Sequence, residues 1–401
     1  MKLNHISRSL VIAGCLISLG WAGWFSLSSG TSEDLNAVSF PADTTTGFVV
    51  GQGVILKTID AGASWESLST GHAFSITSVN FPVNTETGYL AGSGGRIYKT
   101  TNGGTSWVAE TSGVTTDFRS IWFPIDAESG YVSGGEVADA VILKTTNGGR
   151  NWTQQTTGVS HPIASVHFPV STRVGYAVGW QGVILKTTDG GANWLPQTSN
   201  TNADLVCVQF PSGELTGYIV GSSGTILKTT NGGTSWVPQT TGVFDYLASV
   251  SFPVGNDIGF TVGASGIILK TTNAGQDWAP QNSGVNEFLS SVLFPIDTLI
   301  GYAVGRNGTI LKTTDGGAGV EEWLIPEGSQ PRLNPTIVRN ILFLPQTSND
   351  KRRESGILLD IAGKKVVELH SGTNDIRHLA PGVYFAKQLN QSNTLKVIVA
   401  R

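Results

Sequence analysis

The sequence is poor in the residues that build cross-links, metal centres and redox sites. Its 401 residues include two cysteines, Cys15 and Cys207, and a single methionine, Met1. Two cysteines exclude a disulfide framework, and Cys207, within the apolar run Leu205-Val-Cys-Val208, is expected to be a small buried side chain. The six histidines are scattered without the spacing of metal ligands, so we predict no metal site and no cofactor.

Catalytic signatures are missing as well. The sequence contains no Gly-x-Ser-x-Gly and no P-loop pattern. Acidic residues on predicted loops, Glu136, Asp139, Asp204, Asp245 and Glu287 among them, leave a carboxylate pair for glycoside hydrolysis open, but nothing selects one pair. We therefore predict a protein without catalytic residues that is not an enzyme, and glycosidase-like activity stays open as the alternative.

Basic residues are scarce over most of the chain. Residues 31–325 contain seven lysines and five arginines, against nearly twice as many acidic residues. Binding to nucleic acid requires a clustered basic surface, so a nucleic-acid partner is excluded.

Long apolar runs are limited to the N-terminus. Lys2 and Arg8 accompany the mostly apolar range 10–27, which predicts a signal peptide over residues 1–30. Two alternatives stay open: a retained anchor helix, since about 18 apolar residues approach the length that spans a bilayer, and a lipoprotein signal, since Ile-Ala-Gly precedes Cys15. We expect a mature chain without a membrane span, secreted or held at the cell surface.

The dominant feature of the sequence is a repeat. The stretch Lys186-Thr-Thr-Asp-Gly-Gly-Ala-Asn-Trp194 occurs in seven versions, spaced by 42 or 45 residues, which begin at Lys57, Lys99, Lys144, Lys186, Lys228, Lys270 and Lys312. Each period contains four short strand-like segments separated by turn residues. Seven such periods predict an all-β, seven-bladed β-propeller with four-stranded blades over residues 31–325.

The lysine at the start of each copy is predicted to have a structural role. These seven lysines are the only ones between residues 31 and 325. One lysine per blade indicates an aliphatic stem that packs between sheets while the ammonium reaches water or a neighbouring carbonyl oxygen.

The turn inside each copy combines a side-chain acceptor with glycine. The acceptors are Asp60, Asn102, Asn147, Asp189, Asn231, Asn273 and Asp315. A calcium site would favour carboxylates throughout, whereas either residue type can accept from backbone N–H groups, so we predict structural caps. The tryptophan three residues after the second glycine should pack over the turn.

The seventh copy departs from this pattern. No tryptophan follows Asp315-Gly-Gly317 in register, and Trp323 comes late. We expect an irregular fourth strand in the last blade. With only a few residues between the predicted signal peptide and the first strand, an N-terminal strand that completes that blade is not obvious.

The repeat resembles two related groups of propellers. Thr58-Ile-Asp-Ala-Gly-Ala-Ser-Trp65 and its copies are similar to the Asp-box (BNR) repeat of sialidases, and Gly-Tyr-Ala-Val-Gly followed by Gly-x-Ile-Leu-Lys-Thr-Thr-Asp-Gly-Gly resembles the photosystem II stability/assembly factor family. The second resemblance implies a protein-binding, assembly or adhesion platform. The first implies, as the alternative, a surface protein that binds or hydrolyses glycans.

A partner is expected on the face formed by the loops between strands two and three and the loops that link blades, where the repeats differ. The candidate residues are Trp180, Tyr246, Phe118, Arg119, Arg306, Glu136 and Phe288. Aromatic and arginine side chains suit protein hot spots, and the aromatics would also stack on sugars. The partner is therefore predicted to be a protein, with a surface glycan as the alternative; packing between neighbouring loops is the alternative role for the aromatics.

The composition changes after a linker at residues 326–334. Residues 335–401 are basic and contain short strand-like runs, which predict a small Ig-like β-sandwich. Asp360-Ile-Ala-Gly-Lys-Lys-Val366 and Leu379-Ala-Pro-Gly-Val-Tyr-Phe385 resemble the C-terminal sorting domain of type IX secretion cargo. This resemblance implies the secretion machinery as a second partner and passage across an outer membrane; the alternative is an accessory sandwich with no role in sorting.

Overall fold

The computed structural model describes residues 23–41 and 43–317, and in the C-terminal part residues 336–338, 341–344, 355–359, 364–370, 372–375, 379, 382–388 and 394–399. The chain divides into two compact units, residues 1–321 and 322–401. The described residues form β-strands and two short 3-10 turns, Ser93–Gly95 and Ala264–Gly266, and contain no α-helix.

The first unit consists of seven antiparallel sheets. Its strands are β1 (Trp24–Leu27), β2 (Leu35–Ser39), β3 (Gly47–Gly51), β4 (Ile55–Thr58), β5 (Glu66–Leu68), β6 (Ile76–Asn80), β7 (Gly88–Gly92), β8 (Arg96–Thr100), β9 (Val108–Glu110), β10 (Phe118–Trp122), β11 (Gly130–Gly134), β12 (Val141–Thr145), β13 (Thr153–Gln154), β14 (Ile163–His167), β15 (Gly175–Gly179), β16 (Ile184–Thr187), β17 (Leu195–Pro196), β18 (Leu205–Ser212), β19 (Thr216–Gly221), β20 (Ile226–Thr229), β21 (Val237–Pro238), β22 (Leu247–Ser251), β23 (Gly259–Gly263), β24 (Ile268–Thr271), β25 (Ala279–Gln281), β26 (Leu289–Leu293), β27 (Gly301–Gly305) and β28 (Ile310–Thr313).

These sheets are the blades of a closed ring. Blades one to six take four consecutive strands each, from β2-β3-β4-β5 to β22-β23-β24-β25, and blade seven is β26-β27-β28-β1. The first strand of every blade packs against the first strand of the next, and that of blade seven against that of blade one. The prediction of a seven-bladed, all-β propeller is confirmed.

The N-terminal end of the chain completes the last blade. β1 pairs antiparallel with β28, from Trp24 opposite Thr313 to Leu27 opposite Ile310. An N-terminal strand thus completes this blade, although the sequence makes none obvious. The predicted start of the propeller at residue 31 is wrong, because β1 lies inside the range assigned to the signal peptide. Residues 1–22 and the linker 326–334 lie outside the described residues.

Trp24 supplies the tryptophan that the seventh copy lacks. Its ring is buried and meets Phe294 edge-on, with centroids 5.8 Å apart and planes at 86°. In blade four, Trp194 meets Phe168 in the same way, at 6.0 Å and 80°. The fourth strand of blade seven is therefore regular, but it comes from the other end of the propeller.

The turns between the third and fourth strands, here called box turns, are held by one pattern of hydrogen bonds. In blade four the Thr187 hydroxyl accepts from Gly191 N–H at 2.9 Å and donates to Asp189 Oδ1 at 2.8 Å, and Asp189 Oδ1 accepts from Asn193 N–H at 2.9 Å. The side chain and backbone of Asn193, with the Thr187 hydroxyl, lower the pKa of Asp189 to about 2. In blade two Asn102 Oδ1 accepts from Ser106 N–H at 2.9 Å, so an amide oxygen serves this turn equally well.

Each blade is fastened to the box turn of the next. Lys186 Nζ donates to Gly232 O at 2.6 Å, the Tyr176 hydroxyl donates to the same oxygen at 3.1 Å, and the Tyr176 ring stacks on Phe210 at 3.9 Å. All seven repeat lysines make this contact, with Nζ–O distances of 2.6–2.9 Å. The lysines thus have the structural role that the sequence predicted.

The innermost strands are tied together by polar side chains at matching positions. Asn80 Oδ1 accepts from Phe123 N–H at 3.1 Å, and Gln209 Oε1 accepts from Phe252 N–H at 2.8 Å. His167 occupies the same position in blade four. Its ring lies 4.9 Å from that of Trp122, between centroids, and its Nε2 atom is buried without a hydrogen-bond partner in the described part of the chain.

The C-terminal unit contains β29 (Thr336–Val338), β30 (Ile341–Leu344), β31 (Ser355–Leu359), β32 (Lys365–His370), β33 (Gly372–Asp375), β34 (Gly382–Gln388) and β35 (Thr394–Val399). Five of them form a sheet in the order β29-β35-β34-β31-β32, with β29 parallel to β35, and β30 pairs with β33. Leu358 and Leu369 are fully buried. The Ig-like sandwich and its sorting role stay predictions.

Replacing Trp24 tests the closure of the ring. Trp24→Ala removes a buried aromatic side chain and should lower the free energy of unfolding by about 3–5 kcal/mol in a urea titration. Ser26→Ala, at an exposed position of the same strand, is the matched control and should change it by less than about 0.5 kcal/mol. Equal effects of the two substitutions would contradict closure by β1.

His167 should make the stability depend on pH. Burial lowers its pKa from 6.5 to about 4, although a hydrogen bond with the Phe210 backbone acts in the opposite direction. Between these pKa values the unfolded chain binds the proton and the folded chain does not, so stability falls as the pH drops from 6.5 to 4.

The matched variant is His167→Gln, which installs the side chain that blade five carries at this position. Wild type should lose about 1–3 kcal/mol more than this variant between pH 7 and pH 4, measured by urea titration at each pH. His161→Gln, at an exposed loop position, should keep the wild-type pH profile. A His167→Gln profile equal to that of wild type would contradict the assignment.

Candidate binding site at the mouth of the central channel

Arg119 is the only charged residue on the seven innermost strands. It is the second residue of β10, at the end of the strand that borders the loops linking blades. The equivalent positions carry shorter side chains: Asn36, Thr77, Ala164, Val206, Ala248 and Ser290. The guanidinium is therefore the largest and the only charged group at this level of the channel.

The guanidinium of Arg119 packs over the Trp180 ring. Its Cζ atom lies 5.0 Å from the ring centroid, a distance typical of a cation–π contact. Trp180 lies on the turn between β15 and β16, where its backbone N–H donates to Pro162 O at 3.2 Å. Arg119 Nε is buried and has no hydrogen-bond partner among the described residues. A buried charged donor without an acceptor is costly.

Tyr246 and Asp204 belong to the same electrostatic neighbourhood, although they come from other blades. Burial raises the pKa of the Tyr246 hydroxyl, the negative charge of Asp204 raises it further, and the positive charge of Arg119 lowers it. Blades three, five and six therefore present an arginine, a carboxylate and a phenol within interaction range around one opening.

Two further side chains extend this arc to blade seven. The rings of Tyr246 and Phe288 are 5.8 Å apart between centroids. Arg306 Cζ lies 5.3 Å from the Phe288 ring, and Arg306 Nε lies 3.8 Å from Asp34 Oδ2. Because both members of this ion pair are well exposed, it contributes little to stability, and Arg306 stays accessible to a partner.

The carboxylates on this face cap turns. Asp204 Oδ1 accepts from Gln181 N–H at 3.0 Å, and Asp34 Oδ1 accepts from Asn307 N–H at 3.1 Å. Gln181 and Asn307 have positive φ angles of 56° and 55°, so each carboxylate steadies a turn of the preceding blade. Within the described residues, no group of three or more His, Cys, Asp or Glu side chains is placed to hold a metal ion.

The structure brings together five of the seven predicted site residues: Arg119, Trp180, Tyr246, Phe288 and Arg306. The prediction for Phe118 is wrong. Its side chain is fully buried in the core between blades two and three, beside Ile121 and Val141, where no partner reaches it. Glu136 is exposed on the loop between β11 and β12.

Asp34 was missing from the predicted site, and Asp204 was named only among the acidic loop residues that left a carboxylate pair open. A signal existed in the sequence, because an aspartate directly precedes the first strand in three blades, as Asp34, Asp117 and Asp204. Asp117 follows the same rule: its Oδ1 accepts from Gly94 N–H at 2.9 Å.

The described part of the chain contains no helix with the length and apolar character of a membrane span.

The fold recurs in solved structures at low sequence identity. A structure described as YCF48 bound to D1 peptide superposes with a TM-score of 0.61 at 19% identity, covering 74% of this chain and 96% of that one. YCF48 from Cyanidioschyzon merolae gives 0.61 at 18% identity, covering 73% and 98%. The WD40 propeller domain of Doa1 gives 0.60 at 12% identity, covering 74% and 98%. At these identities the likeness shows the fold alone.

Sequence comparison is more specific. No curated protein matches the chain. The family model described as photosynthesis system II assembly factor YCF48 matches residues 20–109, 155–236 and 197–283, which together span more than half of the 401 residues. The first match includes β1, in line with a propeller that starts before residue 31. The chain therefore belongs to the YCF48 family of photosynthesis system II assembly factors.

Proposed function

We propose that the propeller is a non-enzymatic platform that binds a protein partner at the mouth of its central channel, through an extended segment carrying a carboxylate. The observation that carries this proposal is the geometry of Arg119, whose buried Nε lacks an acceptor while its guanidinium is held on Trp180. A carboxylate oxygen is the acceptor that suits a guanidinium best, since the hydrogen bond is charge-assisted.

The surroundings favour a peptide over a free anion. Trp180, Tyr246 and Phe288 are all half-buried at the opening and offer aromatic area for apolar side chains. Among solved structures of similar fold, one is YCF48 with a D1 peptide. That relative supports a protein partner for this chain.

The charge distribution gives the site selectivity. The propeller is acidic overall, and Asp204 and Asp34 lie beside the site, so general electrostatic attraction of anions is weak. A carboxylate gains favourable binding free energy only where it reaches Arg119 or Arg306. Such a contact favours ligands that place a carboxylate at this position over ligands that only carry a negative net charge.

Export to the cell surface is part of the same proposal. It rests on the N-terminal basic and apolar pattern and on the type IX-like motifs of residues 335–401. A platform of this kind would meet its protein partner outside the cytoplasm, with the C-terminal unit engaging the secretion machinery.

Arg119→Met tests the site, because it removes the charge and keeps the length of the side chain. Peptides selected from a random library with free C-termini should bind the wild type, and Arg119→Met should weaken their binding at least about tenfold, which corresponds to about 1.4 kcal/mol. Fluorescence anisotropy with labelled peptides measures the dissociation constants. Amidation of the C-terminus and neutralisation of acidic side chains identify which carboxylate is bound.

Arg173→Met is the control for net charge. Arg173 lies on the opposite face, where its Nε donates to Thr188 O at 3.0 Å, and its replacement should leave binding unchanged. Equal weakening by both substitutions would contradict a site at the channel mouth. Binding of glycans in place of peptides, in a glycan array with the same variants, would favour the glycan-binding alternative.

A further inference from the structure

The seventh box turn joins two segments that are 292 positions apart in the sequence. In blade four the donor to the acceptor Asp189 is the Asn193 N–H, four residues later in the same turn. In blade seven the donor is Gly23, whose nitrogen lies 3.1 and 3.0 Å from the two carboxylate oxygens of Asp315. Gly23 is buried, like the neighbouring Trp24.

We propose that the chain is cut between Ala22 and Gly23 during export, and that the new α-amino group of Gly23 forms a buried ion pair with Asp315. Water is the co-reactant and an export-pathway peptidase is the catalyst. The Ala22–Gly23 peptide bond breaks, the carbonyl carbon of Ala22 takes the hydroxide, and the Gly23 nitrogen takes the proton. The proposal rests on the export proposed above and does not depend on the binding function.

The geometry suits an ammonium group better than a peptide amide. An amide nitrogen carries one hydrogen, and in blade four Asn193 N–H accordingly bonds only Asp189 Oδ1, while Asp189 Oδ2 accepts from Asn193 Nδ2 at 2.7 Å. The Gly23 nitrogen is almost equidistant from both oxygens of Asp315. Asp315 Oδ1 also accepts from the Thr313 hydroxyl at 2.9 Å. A single amide hydrogen of Gly23 must be shared between the two carboxylate oxygens, whereas an ammonium group can donate a separate hydrogen to each.

The sequence before Gly23 has the form of a cleavage site. Small residues stand one and three positions before the bond, Ala22 and Gly20, with Trp21 between them. They follow a basic start and an apolar run, the arrangement of a secretory signal. A cut after residue 30 would remove β1, whereas a cut after Ala22 leaves both β1 and the box-turn donor intact.

The ion pair should change the titration of the α-amino group. Charged groups on the elements packed around Gly23 are Asp315 itself, Lys270, whose Nζ donates to Gly316 O at 2.8 Å, and Asp297 in the loop that contacts Gly316 through Leu299 O. We expect the Asp315 carboxylate to raise the α-amino pKa above its ordinary value of about 8, against the opposing effect of burial. Its stabilising effect is then complete below about pH 8 and is lost as the pH rises through the folded-state pKa.

The first experiment determines the N-terminus. The full chain is expressed with its own N-terminal segment in a Gram-negative host, and the exported protein is analysed by N-terminal sequencing and intact mass. We expect Gly23 as the first residue. Ala22→Tyr should abolish processing at this bond, whereas Trp21→Leu, between the two small residues, should leave it unchanged. Retention of Met1, lipidation of Cys15 or a first residue after Trp24 would each overturn the proposal.

The second experiment tests the ion pair in the processed protein. Asp315→Asn keeps an acceptor that serves four other box turns and removes only the charge. It should lower the melting temperature by about 2–4 °C at pH 6.5, and the difference from wild type should vanish at about pH 10. Asp189→Asn, the same change in blade four, is the control and should show no such convergence. Parallel pH profiles for the two variants would overturn the pairing.

Discussion

Closure of the ring is the constraint on which the rest of the structure depends. Every blade donates a lysine and stacks an aromatic ring onto the box turn of the next blade, as Lys186 and Tyr176 do toward Gly232. No blade is complete without its neighbour, so a missing fourth strand in blade seven would expose the edge of β28 and leave the contact from Lys270 without a finished turn. The pairing of β1 with β28 removes that edge. The channel mouth keeps its shape because all seven interfaces are made.

The sequence was sufficient for the fold but not for the closure. The period of the repeat predicted seven blades, since each period must bury the same faces. The closing strand was missed because a buried strand next to an apolar N-terminal run reads as part of a signal peptide. One signal was available: Trp24 precedes Ser29-Gly30 by the same spacing as Trp107 precedes Ser112-Gly113. When the closing strand comes from the other end of the chain, only this part of the repeat stands beside it in the sequence to identify it.

The candidate site was predicted in part for a similar reason. Positions where repeats differ pointed to Trp180, Tyr246 and Arg306, and these lie at the opening. Phe118 failed because the first residue of each innermost strand faces the core between blades, as its equivalent Leu205 shows by being fully buried. The register shift that follows, between Phe118 and Ser120, turns Arg119 toward the channel. A β-bulge changes which residues face the channel, and it has no clear signature in the sequence.

Sevenfold repetition also explains why the site is one-sided. The backbone at the channel mouth is nearly the same in every blade, so it gives a ligand no preferred direction. Direction comes from the side chains that break the repeat, and these occupy an arc from Arg119 in blade three through Tyr246 to Arg306 in blade seven. Under the proposed function, a segment whose carboxylate meets Arg119 would place its apolar side chains along Tyr246 and Phe288. The fold therefore supplies a repeating rim, and under the proposed function the few non-repeating side chains would set both the position and the orientation of the bound segment.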